Sequence, residues 1–111
     1  MLVSTSSPFG GKTRTRVLLA LRLLEESYPR ELARILALPL NGVQQALRSL
    51  ELDGLVAAKN AGRTRLFRLS PTYFAYADLQ RYLLTLSGPE TELRRRVVAL
   101  RRRPRRTGKE L

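Results

Sequence analysis

Four side chains between residues 41 and 48 carry the most specific chemistry in the chain: Asn41, Gln44, Gln45 and Arg48. Carboxamides can bond adenine at two points and a guanidinium can do the same to guanine, so the set is suited to reading base edges in a DNA major groove. Spacing matters as much as type. In the stretch Pro39 to Val56, PLNGVQQALRSLELDGLV, Val43, Leu47 and Leu50 fall at i, i+4 and i+7 and line one helix face. The four polar residues are thereby left on the opposite face. No acid stands in the first two turns, so nothing there repels phosphate. Gly54, after Asp53, stops the helix, and Leu55 and Val56 open a strand. The same pattern alone also describes an ordinary solvated surface helix, and its neighbours decide between the two.

Composition narrows the classes. With 111 residues there is room for one small domain and some tail. A net charge of +12 and a pI of about 11.5 call for a polyanionic partner, with nucleic acid ahead of an anionic membrane surface. The chain has no Cys and no His, which removes disulfides, thiolate or imidazole metal sites and His- or Cys-based catalysis. The acids are few and scattered, so no enzyme activity, metal or cofactor is expected. The opening MLVSTSSPFGGKTRTR is not built like a secretory signal. The longest apolar stretch, Val17 to Leu24, is broken by Arg22 and too short for a bilayer, so no membrane association and a cytoplasmic location are expected. Gly10-Gly11-Lys12-Thr13 resembles part of a phosphate loop, but that motif needs a glycine where Ser6 stands and a strand before it.

The elements that must hold the polar face follow from the flanking sequence. Residues 1–11, rich in Ser, Thr, Gly and Pro, are expected to be an arm, with Phe9 as a candidate anchor. A helix is predicted from about Lys12 to Ser27. Between Val17 and Leu24 only Arg22 is polar, more apolar girth than one packing face needs, which predicts a second subunit against it. Pro29 and Glu31 suit the first turn of a short helix running to about Ala37 that buries Leu32, Ile35 and Leu36. Pro39 breaks the chain before the next helix begins near Leu40, which makes a helix-turn-helix. Leu55 to Lys59 and Thr64 to Leu69 predict a basic hairpin with its turn at residues 60–63 and with Phe67 and Leu69 on one face. No acid lies between Lys59 and Arg68. A further helix is predicted from about Thr72 to Ser87, opened by Ser70-Pro71. Tyr76, Leu79, Leu83 and Leu86 step along it, and four of the seven aromatic residues fall between Tyr73 and Tyr82. Core closure and a dimer seam together account for that density. The expected seam comprises Leu18, Leu19, Tyr76, Leu79, Tyr82, Leu83 and Leu86. From Pro89 on, Leu93, Val97 and Leu100 form a narrow stripe among arginines, ended by Pro104. The last 23 residues hold 9 basic and 3 acidic side chains, half of the net charge. Most of these arginines are expected to be solvated and held near DNA.

The order of elements is that of a mainly α winged helix-turn-helix domain with a two-stranded β-hairpin and additional C-terminal helices. It divides into the arm, a DNA-binding domain over 12–70, a dimerisation helix over 71–88 and a basic helix and tail over 89–111. RELARILALPLNGVQQALRSLELDGLVAAKNAGRTRLFRLSP resembles the DNA-binding core of the ArsR-type bacterial and archaeal repressors: "ELA" opens the first motif helix, "V..AL..L" the recognition helix, "GLV" the wing, and "FRL" ends it. The resemblance implies a homodimeric transcriptional repressor on double-stranded DNA. Asn41, Gln44, Gln45 and Arg48 would then face the major groove, with Lys59, Arg63 and Arg65 on the wing near the backbone or minor groove. Leu40 and Gly42 depart from the hydroxyl or amide residues usual in relatives, and the lack of Cys and His excludes the metal sensing that names the family. The sequence does not identify an effector. Phe67 to Tyr73 also resembles small winged-helix proteins encoded beside nucleotidyltransferases, and the alternative function is an RNA-binding or adaptor module of a two-protein system.

Overall fold

Five helices and one antiparallel hairpin make up the computed structural model, which describes residues 9–102. Residues 1–8 of the expected arm and 103–111 of the expected basic tail, Pro104 included, lie outside the described residues. In chain order the elements are α1 (Lys12–Leu24), α2 (Pro29–Leu36), α3 (Leu40–Leu52), β1 (Val56–Ala61), β2 (Thr64–Leu69), α4 (Tyr76–Ser87) and α5 (Thr91–Arg102). The fold is mainly α with a two-stranded hairpin, as the sequence predicts.

The core is built around α1. Val17, Leu18, Leu19, Ala20 and Leu21 are consecutive and each is 0% exposed, so this helix is covered on all sides. The cover comes from the same chain: α2, α3, α4, β2 and α5 all pack on α1. The wide girth therefore needs no second subunit, and the expected seam loses four members. Leu18 and Leu19 have no surface left for a partner, nor has Leu83 of α4, while Leu79 is 6% exposed.

α2 has Pro29 at its first position and Glu31 in its first turn, and it buries Leu32, Ile35 and Leu36. It ends at Ala37, whose φ of 57° and ψ of 47° are left-handed. That conformation reverses the chain over Leu38 and Pro39 into α3. A Cβ is strained there, so the turn is held by the packing on both sides.

α3 buries Val43, Ala46, Leu47 and Leu50. Its end is a Schellman motif: Gly54 N–H donates to Glu51 O at 3.0 Å and Leu55 N–H to Leu50 O at 3.0 Å. Gly54 has φ 81°, which an L side chain rarely adopts. Leu50 and Leu55, the two ends of the second bond, are both buried.

The hairpin runs from Val56 opposite Leu69 to Ala61 opposite Thr64. Only Gly62 and Arg63 remain for the turn, two residues rather than the four expected. Gly62 has φ 65° and Arg63 is not left-handed, the pattern of a type II′ turn. Phe67 and Leu69 share the inner face and are buried, while Lys59 to Arg65 are exposed.

Two boundaries differ from expectation. α1 stops at Leu24 because Ser27 leaves the helix to pair with β2, its N–H and C=O exchanging bonds with Phe67 at 3.0 and 2.7 Å. Ser27 Oγ also donates to buried Glu31 Oε1 at 2.6 Å. At the other end, α4 begins at Tyr76 and not at Thr72. Two turns intervene, with Tyr73 N–H bonded to Ser70 O and Tyr76 N–H to Tyr73 O. The Ser70 hydroxyl meets Thr72 Oγ1 at 3.1 Å instead of capping a helix.

Because α1 is interior on every side, Leu19→Ala is expected to lower stability by about 2–5 kcal/mol, the cost of a core cavity. Urea unfolding measures it; a loss well under 1 kcal/mol would mean that Leu19 is not enclosed.

Candidate nucleic-acid interface

The outer face of α3 is as the sequence places it. Asn41, Gln44, Gln45 and Arg48 are all exposed, and none makes a hydrogen bond or ion pair among the described residues. Their amide and guanidinium groups are therefore free for an outside partner. A Cβ added at Gly42 would meet nothing within 4 Å, so the first turn of α3 presents bare backbone to open space.

The hairpin's cations divide into two groups. Arg63 at the turn and Arg68 are exposed, with no ion pair among the described residues. Arg65 is engaged twice: Nη2 lies 3.0 Å from Glu51 Oε2 of α3, and the guanidinium carbon sits 5.4 Å from the centre of the Phe67 ring. Lys59 Nζ lies 3.3 Å from Glu26 Oε2, in the link between α1 and α2. The three expected wing contacts thus begin from different states, Arg63 free and the other two already paired.

Arg14 holds the other side of α3. It donates to Ser49 Oγ at 2.5 Å, pairs with Asp53 Oδ2 at 2.8 Å and bonds the Phe9 carbonyl. Its side chain is 16% exposed. Sequence reasoning misses Arg14, Glu51 and Asp53. The available signal is their position: a cation in the first turn of α1 and acids at the end of α3 all oppose their own helix dipoles, so each calls for a partner elsewhere.

In α5, Arg94, Arg95 and Arg101 are exposed as the sequence predicts and Arg96 is half-buried, yet each of the four is engaged by a partner. Arg94 donates to Gly88 O at 3.1 Å, Arg96 to Ile35 O at 2.7 Å and Arg101 to Leu23 O at 2.7 Å. Those carbonyls end α4, α2 and α1, where cations are favoured. Arg95 pairs with Glu92 at 3.0 Å, and Leu93 and Val97 are buried. Removing everything after Gly88 would thus open the core as well as remove charge.

Of the remaining seam candidates, Tyr76 and Leu86 are half-buried and Tyr82 is 44% exposed. The Tyr76 hydroxyl accepts a bond from Gln80 at 3.0 Å, and the Tyr82 ring lies 5.8 Å from Phe9, which is packed against the core as the expected anchor.

A helix-turn-helix whose second helix is followed by a hairpin folded against α1 decides the architecture. The chain has a winged-helix fold. It is similar to the crystal structure of the adhesin competence repressor (AdcR) from Streptococcus pyogenes, at 19% identity, covering 82% of this chain and 79% of that one, with a TM-score of 0.51. No family model and no curated protein matches the chain. In winged-helix terms α3 occupies the recognition position and the hairpin is the wing. No helix among the described residues is long and apolar enough to cross a membrane.

Arg14 supports α3 from a mostly buried position, so Arg14→Met is expected to cost about 2 kcal/mol, in the range of hydrogen bonds to charged groups. Asp53→Asn, at a carboxylate more than half exposed, should cost less than about 1 kcal/mol. Chemical denaturation of the two variants checks the order; equal losses would place the support in the ion pair alone.

Proposed function

We propose that the chain is a dimeric DNA-binding transcriptional regulator, a repressor of ArsR-like type, that lays α3 in the major groove and sets the wing against the backbone or minor groove. The observation that carries this reading is the outer face of α3. Three carboxamides and one guanidinium stand exposed and unengaged on the recognition helix, in a chain of net charge +12. A helix turned outward only for solubility gains nothing from carboxamides over charged residues, whereas base edges are read by both types. The fold supports the reading because it sets such a helix and a basic hairpin on one scaffold. A cytoplasmic location accords with it.

The dimer is carried by what α1 does not bury. Tyr76, Tyr82 and Leu86 keep accessible surface on α4, and Leu84 of the same helix is 49% exposed. A twofold pair of such chains would place two recognition helices about 34–36 Å apart, one turn of DNA, and so select an inverted repeat.

Selection of bound duplexes from random DNA, followed by titration of variants, tests the function. Gln44→Ala, Gln45→Ala and Arg48→Ala are each expected to weaken the selected site by about 1–3 kcal/mol while barely changing random duplex. An adaptor or RNA-binding module would tolerate all three. For the dimer, light scattering at micromolar concentration should give about twice the monomer mass, and Tyr82→Glu should halve it. A monomer both with and without DNA removes the twofold site.

A further inference from the structure

The last turn of α3 carries an acid that helix physics does not ask for. Glu51 lies where the macrodipole is negative, and α3 has no basic residue in that turn to offset it. It is also on the element that must approach phosphate most closely. Its partner, Arg65, stands on the wing at 3.0 Å, with side-chain exposures of 33% for Glu51 and 53% for Arg65. A pair this wet adds little to stability. The Phe67 ring under the guanidinium fixes where Arg65 points, and Phe67 is itself locked by its two backbone bonds to Ser27.

We infer that Glu51 is a positioning residue that acts through Arg65: it keeps the guanidinium from the phosphates of random DNA without touching DNA itself. The inference rests on the DNA-binding reading above. A free Arg65 would bind any phosphate that came within reach, and phosphate contacts carry no sequence information. Held by Glu51, Arg65 contributes to a duplex only when the base contacts of α3 seat the wing closely enough for phosphate to displace the carboxylate. Lys59, held by Glu26 at 3.3 Å on the other strand, restrains the wing in the same sense. Arg63 and Arg68 are left as the wing's standing phosphate ligands. Binding to random DNA is thereby weakened, and the specific complex also gives up the free energy of the ion pair that it breaks.

Removing the carboxylate separates this role from simple repulsion. Glu51→Gln in the full chain should tighten random duplex and steepen its log–log salt slope by about 0.9, one extra phosphate contact. The selected site should tighten at least as much, because there the wild-type protein breaks the ion pair in order to make the phosphate contact. In an Arg65→Gln background the same Glu51→Gln change should do neither. If Glu51→Gln tightens random duplex equally in both backgrounds, the carboxylate acts by repelling DNA and the inference is overturned. It is overturned too if Glu51→Gln moves neither affinity nor slope while circular dichroism shows the variant folded. Wild-type protein that binds no duplex at low salt would instead remove the DNA-binding reading itself, an outcome visible before any variant is made.

Discussion

The burial of five successive residues of α1, Val17 to Leu21, is the constraint on which the rest of the structure depends. A helix covered on one face can rotate about that contact; a helix covered on every face cannot. Each element that packs on α1 is therefore located with respect to all the others, although many of them share little direct contact surface. α3 takes its position in this way. Its apolar stripe seats on α1, and Arg14, from the first turn of α1, closes on Ser49 and Asp53 at the far end. The polar face of α3 is thus aimed by the core and not by the turn that precedes it.

Local periodicity makes much of this legible in the residues alone. Val43, Leu47 and Leu50 specify which way α3 faces, Gly54 its end, and Phe67 with Leu69 the inner side of the wing, because each signal is carried by residues a few positions apart. What escapes is non-local. The girth of α1 correctly implies more than one covering surface, but spacing does not say whether a cover is the same chain or another, so it assigns Leu18 and Leu19 to a partner they do not meet. Ser27 carries no strand signal, since one residue paired to Phe67 has no period. Thr72 to Ala75 read as helix because Ser70-Pro71 is a good opening, yet the Ser70 hydroxyl bonds Thr72 instead. Partners such as Arg14 with Asp53, 39 positions apart, are hinted at only by charges on the wrong helix ends.

Composition supplies one charge figure, and the fold divides it among three kinds of work. Arg48 and Arg63 stand open to an outside partner. Arg14 and Arg65 join elements through carboxylates of α3 and its cap. Arg94, Arg96 and Arg101 neutralise the carbonyl ends of three helices, which explains why a helix as basic as α5 packs against the core at all. A guanidinium engaged in this way still counts toward the pI, but its contribution to the surrounding field is partly cancelled by the dipole it faces. The unusual basicity of the chain is therefore in part an architectural property.

The two-residue turn at Gly62 and Arg63 limits how this wing can change over generations. Side chains alternate along a strand, so one residue added to β2 between Arg65 and Phe67 would put these two on opposite faces and part the guanidinium from the ring. Two added residues, one on each strand, would lengthen the tip and leave every contact near the core as it is. The wing can thus grow or shrink by whole cross-strand pairs while the joint with α3 stays fixed. Reach and anchoring are separable traits here, one written in the tip and the other in the half of the hairpin nearest the core.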